Sequence, residues 1–335
     1  MENLVIRILG LILFLIPTLA SANDTAWGGT PGNLFPIQTT EVEMVEEHVI
    51  LQQNSKQNSW DISVEFSFKN TSDKPVELTM GFPFYVVDEE TELAQPKGSK
   101  ELKPNDPMVW DFSNTIDGVS TKFKKQEVKL NEKHPDLYYQ WAYVWPMKFK
   151  PGQTIKVVNK YRQGITADSS GHIIPNYILM TGGMWKGGKI GRSQIDILGD
   201  DDSIPCGSGD GVITPPGYRL DKAEAGPALR WDLKDFAPKT DVEGCFLSRK
   251  HFRSMEFSGL ESTELEKLNA TELRVLRNTV FALHGYTFKD EDLQKHFEKQ
   301  RYYYPRKSFK QSDLSKDEKA FVNKVLAREK ALKKK

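Results

Sequence analysis

Two polar side chains near the end of the chain are spaced so that they could act together. Arg277 and His284 are seven residues apart, two turns of an α-helix, and therefore point to the same side. Leu273, Leu276 and Val280 share that side, and polar groups in an apolar stripe are costly unless they are paired. The two could form a ligand or catalytic site, or a hydrogen-bonded internal pair that orients neighbouring helices. The internal pair is favoured, because buried polar groups usually have internal partners.

An acidic, glycine-rich stretch is a second candidate site. Asp200, Asp201 and Asp202 precede Asp210, and oxygen-rich loops can bind calcium, but the spacing does not match an EF-hand. We expect a solvated acidic turn and no metal. The alternative function, hydrolysis of an envelope polymer, would have its site in this 199–211 loop. The loop lacks the Gly-x-Ser-x-Gly spacing of a nucleophile elbow, and the chain has no zinc, phosphate-loop or dinucleotide motif, so no cofactor is expected.

The chain contains two cysteines, Cys206 and Cys245. An isolated pair in an exported protein suggests a disulfide, because such proteins fold in oxidising compartments. Two buried free thiols are the alternative. We favour the bridge because the start of the chain indicates export.

The first 22 residues read as a cleavable signal peptide. Arg7 precedes an apolar run, Ile8 to Leu19, and the small residues of Ala20-Ser21-Ala22 follow. The run is shorter than the roughly 20 apolar residues of a membrane span, and no later stretch is apolar enough to span a bilayer. We therefore expect a mature protein that starts at Asn23, has no membrane span and works in the periplasm or outside the cell.

Charge is unevenly distributed along a chain whose total is neutral. Lys and Arg number 46, as do Asp and Glu, yet residues 262–335 hold 18 basic and 11 acidic side chains, a balance of +7. Within that part, cations and aromatics alternate in one segment, and these are the predicted binding residues: Arg301, Tyr302, Tyr303, Tyr304, Arg306 and Lys307. Such a segment can attract anions and stack on sugars. The expected partner is an anionic envelope polymer or an acidic protein, not nucleic acid.

Two plainer interpretations of the same segment remain open. The tyrosines could cap a small helical core with their hydroxyls in water. The basic face could also dock on the acidic remainder of the protein itself.

Alternating patterns predict that residues 23–255 form an antiparallel β-sandwich region, with two subdomains as an option. Apolar residues recur at every second position from Trp60 to Phe68 and from Val76 to Phe84, the period of a half-buried strand. The turn cluster Asn70–Pro75 between them predicts a hairpin. Trp141, Tyr143 and Trp145 continue the alternation and are expected to point inward.

The period changes after residue 260 and predicts a small all-α domain over 262–335. Asn269 and Glu272 form a capping box for one helix, which Gly285 can close in the left-handed conformation. Asp290 is expected to begin a second helix, and Ser315 with Glu318 to cap a third. The predicted fold class is thus α+β and multidomain.

Residues Arg277–Gly285 resemble the core of the YARHG domain, a small helical module of exported bacterial proteins. Phe281 stands in place of the family's Tyr and Leu283 in place of its Arg. The resemblance assigns Arg277, Asn278, His284 and Gly285 to the structural motif. It implies no enzymatic activity.

The preceding region resembles another exported bacterial family of unknown function. The resemblance depends on short elements: Asn23-Asp24, Glu46-Glu47, Phe66-x-Phe68-x-Asn70, Gly81-Phe82-Pro83 and Pro151-Gly152-x-Thr154-Ile155. It implies a β-rich fold and no mechanism. We therefore expect an exported, non-catalytic binding or scaffolding protein with no catalytic residues.

Overall fold

The computed structural model describes residues 24–30, 33–84, 86, 94–128, 141–165, 167–168, 170–206, 213–223, 226–300, 302–306 and 309–333. The predicted signal peptide lies outside these residues. The strands are β1 (Thr25–Thr30), β2 (Asn33–Pro36), β3 (Val42–Asn54), β4 (Ser59–Asn70), β5 (Val76–Phe84), β6 (Trp110–Ile116), β7 (Val119–Ser120), β8 (Lys124–Glu127), β9 (Trp141–Phe149), β10 (Thr154–Gly164), β11 (His172–Ile173), β12 (Asn176–Tyr177), β13 (Ile190–Leu198), β14 (Ser203–Pro205), β15 (Arg219–Ala223), β16 (Gly226–Phe236), β17 (Val242–Glu243) and β18 (Phe246–Ser248).

Two large sheets carry the β-region. One has eight strands in the order β15-β16-β13-β3-β4-β10-β6-β7, and the other has five in the order β2-β1-β5-β9-β8. All their pairings are antiparallel except that of β3 with β13, which is parallel. The predicted antiparallel sandwich is thus confirmed in class, with one parallel pair inside the larger sheet.

The two sheets face each other across one apolar core. Phe82 of β5 lies 5.0 Å from Tyr161 of β10 and 4.6 Å from Phe112 of β6, measured between ring centroids. Trp145 is buried, and Tyr143 stacks on Phe112 at 4.7 Å, so both point inward as predicted. Aromatic side chains bury more area than most others, and their inward alternation holds the sheets together.

The predicted hairpin between β4 and β5 is wrong. β4 pairs with β3 and β10 in the larger sheet, whereas β5 pairs with β1 and β9 in the smaller one. The turn after β4 carries the chain from one sheet to the other, and the side-chain amide of Asn70 donates to the carbonyls of Lys74 and Lys150 at 2.7 and 3.0 Å. The alternation of apolar and polar residues determines which face of a strand is buried. It does not determine whether two successive strands pair in one sheet or face each other from two sheets.

Four helices follow the last strand: α1 (Arg249–Glu261), α2 (Ala270–Leu283), α3 (Glu291–Glu298) and α4 (Lys316–Lys333). The predicted caps are present. Asn269 and Glu272 form a reciprocal capping box, Asp290 caps α3, and Ser315 and Glu318 exchange bonds of 2.6 and 3.1 Å at the start of α4. Helix α1, which begins where the sheets end, was not predicted from the sequence.

Candidate functional site

The sheets and the helices meet at a buried arginine. Arg249 is the first residue of α1, and its side chain is 2% exposed. Its Nε donates to the carbonyl of Asp201 at 2.7 Å, and its Nη2 to the carbonyl of Tyr304 at 3.3 Å. Its backbone N–H donates to the carbonyl of Asp202 at 2.7 Å. One residue therefore joins the turn after β13, the start of α1 and the segment before α4.

The acidic turn is used to organise the backbone. Asp200 accepts from the backbone N–H of Ser55 at 2.8 Å and from that of Asp202 at 2.9 Å. Within the part of the chain that the structure describes, no group of three His, Cys, Asp or Glu is placed to hold a metal ion. Residues 207–211 of the loop that the hydrolase alternative would use, Asp210 among them, lie outside that part.

Burial shapes the charge of the junction. It lowers the pKa of Arg249 to about 10, assisted by the nearby Arg306 cation, so the guanidinium stays charged at neutral pH. Arg306 Nε lies 3.9 Å from an oxygen of Asp201. One cation of the segment 301–307 therefore lies beside the acidic turn of the sandwich.

The disulfide lies beside this junction. Cys206 and Cys245 are bridged, with 5.4 Å between their Cα atoms, and they are 39 positions apart in sequence. The bridge packs in a buried apolar cluster with Ile204, Leu247 and Tyr304, against which Phe252 and Tyr302 also pack. It thus supports the surface on which the helical part rests.

Gly285 brings the end of α2 close to the same segment. Its φ is +78°, and its carbonyl accepts from the backbone N–H of Arg306 at 2.7 Å. A Cβ added here would lie 2.6 Å from the carbonyl oxygen of Tyr304 and 2.8 Å from Cγ of Arg306. Only glycine satisfies both the left-handed backbone and this approach.

We expect Gly285→Ala to lower the free energy of unfolding by at least about 1–2 kcal/mol, the cost of a left-handed L-residue, before any clash is counted. Chemical denaturation measures the change. Gly259→Ala is the matched control, since that helical glycine has nothing within 4 Å of the added methyl group and alanine stabilises exposed helix. Equal destabilisation by both substitutions would contradict the assignment.

The segment proposed to bind anions has its described tyrosines turned inward. Tyr303 is fully buried, and its hydroxyl donates to the carbonyl of Tyr286 at 2.8 Å, while Tyr304 packs on the disulfide. Burial raises the pKa of Tyr302 to about 12, with the Glu256 carboxylate adding to the effect. Arg301 and Lys307 lie outside the described residues. In this arrangement Tyr303 and Tyr304 serve the core, where aromatic rings bury large areas.

His284 sits in a buried charged cluster between α1, α2 and α4. It is 1% exposed, and its Nε2 lies 3.0 Å from Oε1 of Glu318. Its Nδ1 lies 3.2 Å from Nη1 of Arg253. A guanidinium only donates, so Nδ1 must accept, which leaves the proton on Nε2 to be donated to the carboxylate.

Glu318 provides the negative charge of this cluster. Burial opposes its ionisation, but the hydrogen bonds from His284 and from the Ser315 backbone, with the Arg253 charge, prevail and lower the pKa of the carboxyl. Arg277 does not meet His284. Its Nε donates to Glu329 of α4 at 2.6 Å, so the two polar residues of the stripe each hold a different carboxylate of the same helix.

We expect His284→Ala to lower the free energy of unfolding by about 1–3 kcal/mol, because it leaves a buried carboxylate short of a donor. Thermal unfolding of the full chain measures this, with the exposed His296→Ala as control. Unchanged melting together with lost ligand binding would instead give His284 a functional role.

Comparison with known proteins agrees with this two-part structure. Residues 252–330 match the YARHG domain, and residues 22–134 match a Domain of unknown function (DUF4424). Both resemblances predicted from the sequence are thereby confirmed. The chain carries a YARHG domain, a module typical of exported proteins, and its disulfide is consistent with an oxidising compartment. Among the described helices, none is long and apolar enough to cross a membrane.

One solved structure matches almost the whole chain. It is a candidate nutrient binding protein from Legionella pneumophila, 28% identical, with a TM-score of 0.67 over 91% of this chain and 100% of that one. No protein with curated annotation matches in sequence.

Partial likenesses extend to two enzymes. An M1 zinc metallopeptidase from Deinococcus radiodurans is 9% identical, with a TM-score of 0.30 over 64% of this chain and 44% of that one. Yeast LTA4 hydrolase is 10% identical, with a TM-score of 0.33 over 62% of this chain and 29% of that one. Likenesses this low carry no argument about function.

Proposed function

We propose that this chain is an exported, non-catalytic binding protein whose YARHG domain presents a basic face to an anionic polymer of the cell envelope. The observation that carries the binding role is the structural match to the candidate nutrient binding protein, which extends over that protein's full length. A shared fold at 28% identity favours a shared type of function, here the binding of a ligand. It does not identify the ligand that this chain binds.

The charge of α4 supports an anionic ligand. Two of the helix's three carboxylates, Glu318 and Glu329, are buried and engaged by the cations of α1 and α2. Its lysines Lys316, Lys319 and Lys330 are exposed and lie within about 60° of one another around the helix axis. Because the two carboxylates point inward and the three lysines point outward, the exposed face of α4 is positively charged. A positively charged face attracts a polyanion over a long distance.

Binding to a defined polyanion tests the proposal. The mature chain should bind immobilised dextran sulfate, and the affinity should fall as salt shortens the screening length below about 10 Å. Reversing Lys316, Lys319 and Lys330 to glutamate should reduce binding at least about tenfold.

A matched triple reversal on the sandwich controls for net charge. Lys97, Lys103 and Lys122 are exposed residues of the β-region, and their reversal to glutamate changes the total charge by the same amount. An equal loss of dextran sulfate binding in both triple variants, or binding that does not depend on salt concentration, would contradict a specific basic face on α4.

A further inference from the structure

The two edges of the larger sheet differ in length. Among its described strands the order ends at β7, which has two residues, and on the other side at β15, which has five. An unpaired edge is a template for pairing with another strand, and a very short edge strand reduces this tendency. Among the described residues four large apolar side chains are exposed, and two of them, Tyr218 and Leu220, lie at the β15 edge. This edge therefore has the features of a site for strand addition.

The apolar face of the sheet continues as far as this edge. A cross-strand row runs from β3 through β13 and β16 to β15, and its members are Leu51, Ile197, Leu229 and Leu220. The first three are fully buried, whereas Leu220 is 42% exposed. Tyr218 directly precedes β15, with its ring centroid 5.8 Å from that of Trp231 in β16. One more strand beside β15 would remove the exposed end of this row from water, which is favourable.

The other face of β15 carries one charge of each sign. Arg219 Nε lies 2.9 Å from Oδ1 of Asp221, and Nε of Arg230 in β16 lies 3.0 Å from the other oxygen of that carboxylate. The Arg219 side chain is 74% exposed, and a guanidinium has five donors, so it can bind a second carboxylate. Lysines on an edge strand discourage pairing. A cation and an anion two residues apart can instead complement a second copy of the same strand.

We propose that two copies of this chain pair through β15, antiparallel, so that one continuous sheet crosses the dimer. A two-fold axis perpendicular to the sheet keeps the apolar faces of both copies on the same side. With Leu220 on the axis, Arg219 lies opposite Asp221 of the partner subunit, and unlike charges directly opposite stabilise a strand pair. Registers centred on Arg219 or on Asp221 place like charges opposite each other and are disfavoured. The charges therefore select one register.

Charge reversal tests this register. The mature chain should show a monomer–dimer equilibrium in sedimentation as its concentration is raised to about 1 mM. Arg219→Glu leaves two negative charges on the strand and Asp221→Lys leaves two positive ones, so each variant alone should dimerise at least about tenfold more weakly. An equimolar mixture of the two variants should restore the dimer, because each charge again meets its opposite. A wild-type chain that stays monomeric, or a mixture no better than its components, would overturn the proposal.

Cross-linking gives a second test that holds even if a charge variant folds poorly. Leu220→Cys places two thiols opposite each other on the axis, and the Cα atoms of opposite residues are about 4.5–5.5 Å apart, within the span of a disulfide. Mild oxidation should therefore yield a covalent dimer. The matched control is Val119→Cys, an exposed residue of the other edge strand, which should cross-link at least about tenfold less. Equal cross-linking at the two edges would overturn the proposal. Neither experiment involves a ligand, so either failure leaves the proposed function standing.

Discussion

Removal of the disulfide by Cys206→Ala/Cys245→Ala should lower the free energy of unfolding by about 4 kcal/mol. The bridge closes a loop of 39 positions, and the chain-entropy model assigns roughly that value to a loop of this length. The loss should extend to the helical part, because Tyr304 packs on the bridge. Denaturant unfolding of the double variant and of the oxidised wild type measures the difference.

The reduced wild-type protein is the matched control for that experiment. The reduced protein lacks the crosslink but keeps both sulfur atoms in the apolar cluster. Its stability relative to the oxidised protein therefore measures the effect of closing the loop, and the further loss in the double alanine variant measures the packing of the sulfur atoms. Mass analysis of the exported protein under non-reducing conditions should show the bridge. Two free thiols, or a stability indifferent to reductant, would contradict the prediction.

Arg249→Met should cost about 3 kcal/mol and uncouple the helices from the sheets. The substitution keeps much of the side-chain volume but removes two charge-assisted bonds, to the carbonyls of Asp201 and Tyr304. Hydrogen bonds to charged groups contribute about 1.5–3 kcal/mol each. Part of this loss is offset because the variant no longer has to bury a charged guanidinium, which is costly to desolvate.

Calorimetry and limited proteolysis measure both effects. In the variant the helical part should melt at lower temperature than the sandwich, and cleavage should increase within 249–262. The neighbouring Lys250→Met is the control, since Lys250 is exposed. A variant that melts and is cleaved like the wild type would show that Arg249 does not hold the junction.

The features that the sequence predicts well are local ones. The capping residues Asn269, Asp290 and Ser315 were identifiable because a cap and its partner lie within three residues. The buried face of each strand was equally predictable, because apolar and polar residues alternate along it. The resemblance of Arg277–Gly285 to the YARHG core was carried by a contiguous motif.

Features that depend on distant pairing were not predictable in this way. β13 joins β3 in parallel although they are about 146 residues apart, and alternation does not say which strand lies beside which. Arg249 carries no local signal of its role. Helix α1 did leave a trace, Ser248 as N-cap followed by Phe257 and Leu260 at helical spacing, which pack on the helical core.

The central claim, recognition without turnover, is tested most directly by incubating the mature chain with a defined anionic envelope polysaccharide and following both partners. Equilibrium binding gives the occupancy, and size analysis of the recovered polymer shows whether any bond was cleaved. We predict saturable, salt-sensitive binding with the polymer recovered at its original length. Polymer shortened in proportion to protein and time would contradict the account and favour a hydrolase with its site in the 199–211 loop.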